Sequence, residues 1–143
     1  MDIDLVLVSV DGSERAERAA EYAIAIAARY DAALHLLFVL DERLRRDLDR
    51  GVVDAESVAD DHREFTERVQ ARSRELGHDV AIDTSTAAAF SEQRLTQTPG
   101  SVVLDIAEDV ETDFIVVPRN DQDAVGRASQ YVLEYASQPV LSV

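Results

Sequence analysis

The sequence predicts an α/β protein, with a single doubly wound parallel sheet and helices on both of its faces. Two observations indicate this class. Apolar stretches of strand length alternate along the chain with stretches of helical periodicity, and several strand-like stretches are apolar on both faces. A strand of that kind is covered on both sides, as in the interior of a parallel sheet. We expect five strands in one domain spanning residues 1–143.

The first strand, residues 5–10, reads LVLVSV and is followed by Asp11, Gly12 and Ser13. Ser13 is a favourable N-cap for a helix predicted over residues 13–30, whose alanine stripe would let it lie close to the sheet. Open parallel sheets bind ligands beyond the carboxyl ends of their strands. These three residues therefore lie where a site is expected, although a plain strand-to-helix turn explains them equally well.

The rest of the chain continues the alternation. Further strands are predicted at residues 33–40, 79–84, 113–117 and 139–143. Further helices are predicted at residues 54–76, 101–110 and 126–136; Pro99, Gly100 and Ser101 lead into the second of these, with Ser101 as its cap. The third strand alternates apolar and polar residues, which is typical of an edge strand. Residues 41–54 are expected to form a loop or a frayed helical turn, and residues 85–98 a loop with a short helical piece or a lid.

The charge of the chain is strongly negative. It has 29 acidic and 14 basic residues, a net charge of −15, and every basic residue is arginine. A negative surface repels phosphate backbones, so we expect no nucleic-acid partner. The excess of acid without lysine resembles the composition of proteins from halophiles that accumulate salt, with an acidic mesophilic protein as the alternative.

Several classes of site and location are disfavoured by composition. The chain has no cysteine, which removes disulfides, thiolate nucleophiles and cysteine zinc sites. His35, His62 and His78 fall on different predicted elements, so no metal site is expected, and His35 is expected to be a structural histidine with a polar partner. No apolar run approaches the roughly 20 residues of a membrane span, and the acidic start suggests no signal peptide. A cytoplasmic protein is expected.

Known doubly wound folds can be compared through their site motifs. A receiver domain needs a lysine after the fifth strand, and this chain has none. A flavodoxin needs a phosphate loop rich in serine and threonine after the first strand, where this chain carries acids. A dinucleotide fold needs G-x-G-x-x-G, and a P-loop needs G-x-x-x-x-G-K-[ST]; both motifs are absent.

One family does fit nearly the whole chain. The segments LVLVSVDGSERAER at residues 5–18, LHLLFVLD at 34–41, DFIVV at 113–117 and QPVL at 138–141 resemble, in order and spacing, the universal stress protein family. The resemblance implies a five-stranded parallel sheet in the order 3-2-1-4-5, with the switch point between the first and fourth strands. It also implies a homodimer joined through the last strand, at Val140, Leu141, Ser142 and Val143.

In family members that bind ATP, the nucleotide lies across that switch point. By this resemblance, the family's nucleotide contacts correspond to residues at the ends of three strands and in the loop after the fourth strand. The candidate nucleotide-binding residues are Ser9, Val10, Asp11, Val39, Val117, Pro118, Arg119, Gly126 and Arg127. Val39 would contact the adenine.

The loop after the fourth strand departs from the family pattern of G-x-x-G, nine residues and then G-[ST]. Pro118 and Asp121 occupy the first two glycine positions, the spacing to Gly126 is shortened, and Arg127 replaces the hydroxyl residue. Proline has no N–H to offer a phosphate, and an aspartate repels one. Arg119 and Arg127 could offset part of that repulsion, so an arginine-based phosphate site stays open.

We therefore expect a non-catalytic, dimeric stress-response module of the ATP-independent kind, with no catalytic residue and no cofactor. The alternative is a switch that binds ATP or another adenine nucleotide, weakly, through the modified loop. A small hydrolase or phosphotransfer enzyme using Asp11 and Arg119 is the least favoured. The sequence shows no nucleophile and general base arranged with a third residue that would orient the base.

The charge composition generates a first prediction. Because acids at net charge −15 repel one another, the fold should be least stable at low ionic strength and should be stabilised as salt screens the repulsion. We expect the Tm to rise steeply between dilute buffer and about 1 M KCl, where the Debye length is about 3 Å. A Tm that stays flat across this range would contradict the halophilic interpretation.

Overall fold

Five parallel strands form the centre of the fold. This computed structural model describes residues 2–10, 14–40, 42–88, 99–119 and 124–143. The strands are β1 Leu5–Val10, β2 Ala33–Leu40, β3 Ile82–Ala88, β4 Phe114–Val117 and β5 Val140–Ser142. The helices are α1 Glu14–Tyr30, α2 Glu42–Asp49, α3 Ala55–Glu75, α4 Pro99–Asp109 and α5 Ala124–Tyr135. The sheet order is β3-β2-β1-β4-β5, which confirms the predicted class and strand order.

Strand β1 lies in the middle of the sheet. It pairs in parallel with β2 from Leu5 to Val10 and with β4 from Val6 to Val8. Leu7 belongs to one apolar core, whereas Val6 and Val8 belong to the core on the opposite face. Both faces of this strand are therefore buried, as its unbroken apolar sequence predicts.

The two faces of the sheet are covered by different helix pairs. Helices α1 and α3 cover one face, where the alanine stripe of α1 packs with Phe38 and Phe65. Helices α4 and α5 cover the other face, where Val103 and Val132 pack on Leu7 and Ile115. Alanine brings α1 close to the strands because its side chain is small.

The largest difference from the sequence prediction concerns β3. The strand runs Ile82–Ala88, three residues later than predicted at its start and four at its end. It is indeed an edge strand, pairing only with β2 among the described strands, from Leu34 opposite Ile82 to Leu40 opposite Ala88. Pairing with the long strand β2 decides these limits, and it takes in part of the predicted loop. Residues 89–98, the rest of that loop, lie outside the described part of the chain.

A second difference is α2, which was predicted as a loop or a frayed turn. Its residues form a two-turn helix in which Leu44 and Leu48, four positions apart, are half-buried. A weak ion pair of 3.9 Å joins Arg45 to Asp49 at the same spacing. The apolar pair is short and is surrounded by charges, so it gives little periodic signal in the sequence.

The ends of the helices follow local signals in some places only. Asp54 caps α3, accepting a hydrogen bond of 3.2 Å from the Glu56 N–H, and Gly77 follows the helix with φ +78°. In contrast, α4 begins at Pro99 and not after Ser101, since proline suits the first position of a helix. Helix α5 begins at Ala124, two residues before the predicted start.

Two large side chains on the helices are exposed although the helical spacing of apolar residues places them on the inward stripes. Leu76, at the C-cap of α3, is 42% exposed. Tyr135 is 60% exposed and packs against Tyr131 on the surface, with 4.6 Å between their ring centroids.

Helices α4 and α5 approach each other closely at Gly100. A Cβ atom built on Gly100 would lie 2.5 Å from the Tyr131 Cβ. That atom is attached to the backbone of α5, so a rotamer change cannot relieve the contact. The two helices can pack this way only while residue 100 has no side chain.

We predict that Gly100→Ala destabilises the fold. In an open helix the change would stabilise by up to about 1 kcal/mol, because alanine is the better helix former. Here the clash with Tyr131 forces the helices apart, and overpacking of this kind costs about 1–3 kcal/mol. The measurement is urea unfolding at a fixed salt concentration.

The matched control is Asp105→Ala, on the exposed side of the same helix. This change should alter the free energy of unfolding by no more than about 0.5 kcal/mol. A Gly100→Ala variant as stable as the wild type would show that α4 and α5 are not packed as described.

Candidate functional site

The candidate site lies where β1 and β4 run side by side at the centre of the sheet. The chain leaves β1 toward α1 on one face and leaves β4 toward α5 on the other, which creates the crevice typical of open parallel sheets. Ser9 and Val10 end β1, and Val117 ends β4; all three are buried. Val39, near the end of β2, is half-buried on the α4 and α5 face.

Not every predicted site residue can be located. Asp11 lies outside the described residues, as do Asp121 and Asp123 of the modified loop. Gly126 and Arg127 are the third and fourth residues of α5, and the described part of the chain does not include their side chains. The expectation that Gly126 starts the helix is therefore wrong, because the helix begins at Ala124.

Hydrogen bonds hold the first two residues after β4 in place. The buried Ser129 hydroxyl of α5 donates to the Pro118 carbonyl oxygen at 2.8 Å. The Arg119 N–H donates to the Val143 carbonyl oxygen, which extends the pairing of β4 with β5 by one step. Pro118 has no N–H, and the N–H of Arg119 is already bonded. Neither residue therefore offers a free backbone donor to the crevice.

The sequence analysis missed two residues beside this segment. Arg15 and Arg18, in the first turns of α1, line a cavity of about 240 Å³ together with Arg119 and Val143. The Arg15 Nη1 donates to the Arg119 carbonyl oxygen at 3.0 Å. Spacing i, i+3 on a helix that directly follows the first strand is a signal that could have drawn attention to this pair.

Two larger cavities lie on the face of the sheet covered by α1 and α3. One, of about 460 Å³, lies between α3 and the ends of β2 and β3, with His62 stacked on Phe38 in its wall. The ring centroids are 4.0 Å apart. The other, of about 290 Å³, is the groove between α1 and α3, bridged by ion pairs from Arg68 to Glu17 and from Arg72 to Glu21. Neither contains a predicted site residue.

His35 has the polar partner that the sequence analysis expected. Its Nε2 lies 2.7 Å from the Ser85 Oγ, which links β2 to the edge strand β3. The ring is 8% exposed, and burial lowers its pKa below the ordinary value of 6.5, while the nearby Asp83 carboxylate partly opposes the shift. This serine and histidine are close enough for proton transfer, but among the described residues the ring donates no hydrogen bond to the Asp83 carboxylate.

The described residues form no group of three or more His, Asp or Glu side chains able to hold a metal ion. Within the same part of the chain, no helix is both long and apolar enough to cross a bilayer. The polar groups described near the crevice are backbone groups, arginines and the hydroxyls of Ser9 and Ser129.

Comparison with known proteins decides the family. The model of the universal stress protein family matches residues 3–143. This chain belongs to the universal stress protein family. A search of the curated proteins found no match.

Solved structures of universal stress proteins share the fold. UspA from Lactobacillus plantarum is 25% identical, with a TM-score of 0.72 over 100% of this chain and 99% of its own. A universal stress protein in complex with cAMP is 20% identical, with a TM-score of 0.72 over 100% and 98%. One from Archaeoglobus fulgidus in complex with dAMP is 20% identical, with a TM-score of 0.66 over 99% and 98%.

His35, which is buried, and His62, which is half-buried, generate a prediction for pH. The pKa of His62 is lowered by burial as well, with the Asp61 carboxylate partly opposing it. Both rings therefore stay neutral in the fold at pH values where the unfolded chain already binds protons. Stability should be full well above pH 6.5 and should fall as the pH drops through that value.

The measurement is urea unfolding between about pH 8 and pH 5.5, a range in which carboxylates of ordinary pKa stay ionised. His35→Gln and His62→Gln should each reduce the dependence of the unfolding free energy on pH, whatever their effect on its absolute value. A wild-type stability that rises toward pH 5.5 would contradict the assignment.

Proposed function

We propose that this universal stress protein is a non-catalytic, homodimeric regulatory module of the ATP-independent kind. The observation that carries the proposal is the bonding of Pro118 and Arg119. An ATP site of this family uses backbone N–H groups after β4, which require flexible glycines and free donors. Pro118 supplies no donor, and the Arg119 N–H is bonded to Val143. The cytoplasmic location expected from the sequence stays a prediction.

The absence of a catalytic role is proposed on chemical grounds. Among the described residues, the pair most like a nucleophile and base is Ser85 and His35, which cross-links β2 and β3. Among the described residues this pair has no orienting acid bonded to the ring. A structural hydrogen bond accounts for its geometry.

The second candidate is an adenine-nucleotide switch. It is favoured by the cAMP and dAMP complexes of two structural neighbours and by Val39, which is half-buried near the end of β2. Under this alternative the adenine would contact β2, and the phosphates would be held by groups other than the first backbone amides after β4.

Calorimetry distinguishes the two candidates. Loss of a few charge-assisted hydrogen bonds, at about 1.5–3 kcal/mol each, would take a micromolar site to millimolar or weaker. We expect no Mg-ATP binding tighter than about millimolar and no ATP hydrolysis, at a salt concentration where the protein is folded. A one-to-one micromolar isotherm with ATP, AMP or cAMP would put the nucleotide switch first.

The proposed dimer uses β5, an edge strand whose neighbour on one side is β4. The Val143 N–H donates to the Val117 carbonyl oxygen at 3.1 Å, so it points toward β4. Successive residues of a strand point their N–H groups to opposite sides, so the Ser142 N–H points toward the free edge. An exposed edge of this kind is suited to pairing with a second copy across a two-fold axis.

We predict that Ser142→Pro converts the dimer to a monomer without unfolding it. The change removes an outward N–H, which an antiparallel partner strand would use, and leaves the bonds to β4 intact. Light scattering coupled to size exclusion measures the mass, and circular dichroism checks the fold. Leu133→Asp, on the exposed surface of α5, is the control and should leave the mass unchanged. If the wild-type protein is a monomer in solution, the proposed dimer is wrong.

A further inference from the structure

Three arginines converge on one small cavity beside the crevice. Arg15 and Arg18 reach it from α1 and Arg119 from the end of β4, and the cavity they line with Val143 has a volume of about 240 Å³. We propose that these three residues, the arginine cluster, bind a phosphate group, as inorganic phosphate or as the phosphate of a small ester. This inference stands apart from the proposed function, since it needs neither ATP independence nor a dimer.

The main chain under the cluster is fixed from three sides. Ser129 bonds the Pro118 carbonyl oxygen, Val143 accepts from the Arg119 N–H, and Arg15 donates to the Arg119 carbonyl oxygen. The side chain of Arg15 is thereby held against the loop through one of its five N–H groups, which leaves the others for a ligand. A guanidinium positioned in advance loses less conformational entropy when it binds an anion.

The charge around the cluster is unusual for this protein. The chain carries 29 acids against 14 arginines, and Arg63, Arg68 and Arg72 on α3 all form ion pairs with acids. By contrast, within the described part of the chain no acidic side chain lines the cluster's cavity. Of the two acids in the first turn of α1, Glu17 is paired with Arg68 at 2.8 Å, and Glu14 is exposed and does not line the cavity.

Three like charges around one cavity repel one another, and a bound anion would relieve that repulsion. The cluster also lies at the start of the 17-residue helix α1, where the helix dipole favours negative charge. These two effects act together on the same small volume and favour an anionic occupant.

The geometry favours phosphate over a larger ligand. Guanidinium groups bind phosphate oxygens in paired hydrogen bonds, which is why arginine is common in phosphate sites. The cavity is smaller than the roughly 300–1,000 Å³ typical of sites for drug-sized molecules. It suits a single phosphate group better than a whole nucleotide. Recognition would then come from side chains, and not from the backbone amides of a glycine loop.

The test is a titration with inorganic phosphate, followed by the NMR signals of the arginine side-chain N–H groups. Phosphate replaces chloride at constant ionic strength, in salt that keeps the protein folded. We expect saturable one-to-one binding with a Kd of about a millimolar, because a small ligand gains few contacts. Arg18→Gln and Arg119→Gln should each raise the Kd about tenfold or more.

Arg29→Gln is the matched control, because it removes the same charge from an exposed position in the last turn of α1. It should change the Kd by less than about twofold, since charges farther apart than the Debye length are screened. Circular dichroism and Tm establish that each variant is folded. Phosphate shifts that do not saturate, or that are unchanged in both cluster variants, would overturn the proposal.

Titrations with AMP and adenosine separate the two sources of phosphate. Equal Kd values for AMP and inorganic phosphate, with no binding of adenosine, identify free phosphate as sufficient. If AMP binds more tightly than inorganic phosphate, its binding still depends on Arg18 and Arg119, and adenosine does not bind, the ligand is a phosphate ester. Adenosine binding as tightly as AMP while inorganic phosphate does not bind would overturn the inference, because recognition would then be directed at the base.

Discussion

The double pairing and double burial of β1 is the constraint on which the rest of the structure depends. Its edges bond β2 on one side and β4 on the other, and its faces contribute to two separate apolar cores. Helices must therefore cover both faces, and the connections from β1 and β4 must leave toward opposite faces. The crevice at their carboxyl ends follows from this arrangement, whatever residues line it.

The segment after β4 shows how pairing limits chemistry. In this chain the β4–β5 ladder extends to Arg119 and Val143, and Ser129 holds the preceding carbonyl group. A backbone whose donors are used in this way cannot also wrap a phosphate. The same bonds fix Arg119 beside Arg15. The groups in this region that could attract an anion are therefore arginine side chains and not backbone N–H groups. If both proposals hold, the lack of backbone recognition and the presence of side-chain recognition have the same structural cause.

The charges of the protein are organised by the helix packing. Glu17 and Glu21 of α1 face Arg68 and Arg72 of α3 at matching four-residue intervals, with distances of 2.8 and 2.6 Å. These side chains are about half exposed, so each pair contributes little to the stability of the fold, and less in concentrated salt. Their main effect is to bring opposite charges together on a surface that is otherwise dominated by acids.

The sequence by itself determined the features that depend on neighbouring residues. The apolar runs of β1 and β4, the Asp54 cap, the turn at Gly77 and the end of β4 at Pro118 all follow from short-range sterics and burial. The tertiary structure decided the limits of β3, which are set by pairing with β2, and the start of α5. It also decided the arginine cluster, because Arg15 and Arg119 are 104 positions apart and meet only once β1 and β4 have paired. Periodicity and capping act over a few residues, whereas contacts between distant strands are fixed only by packing of the whole sheet.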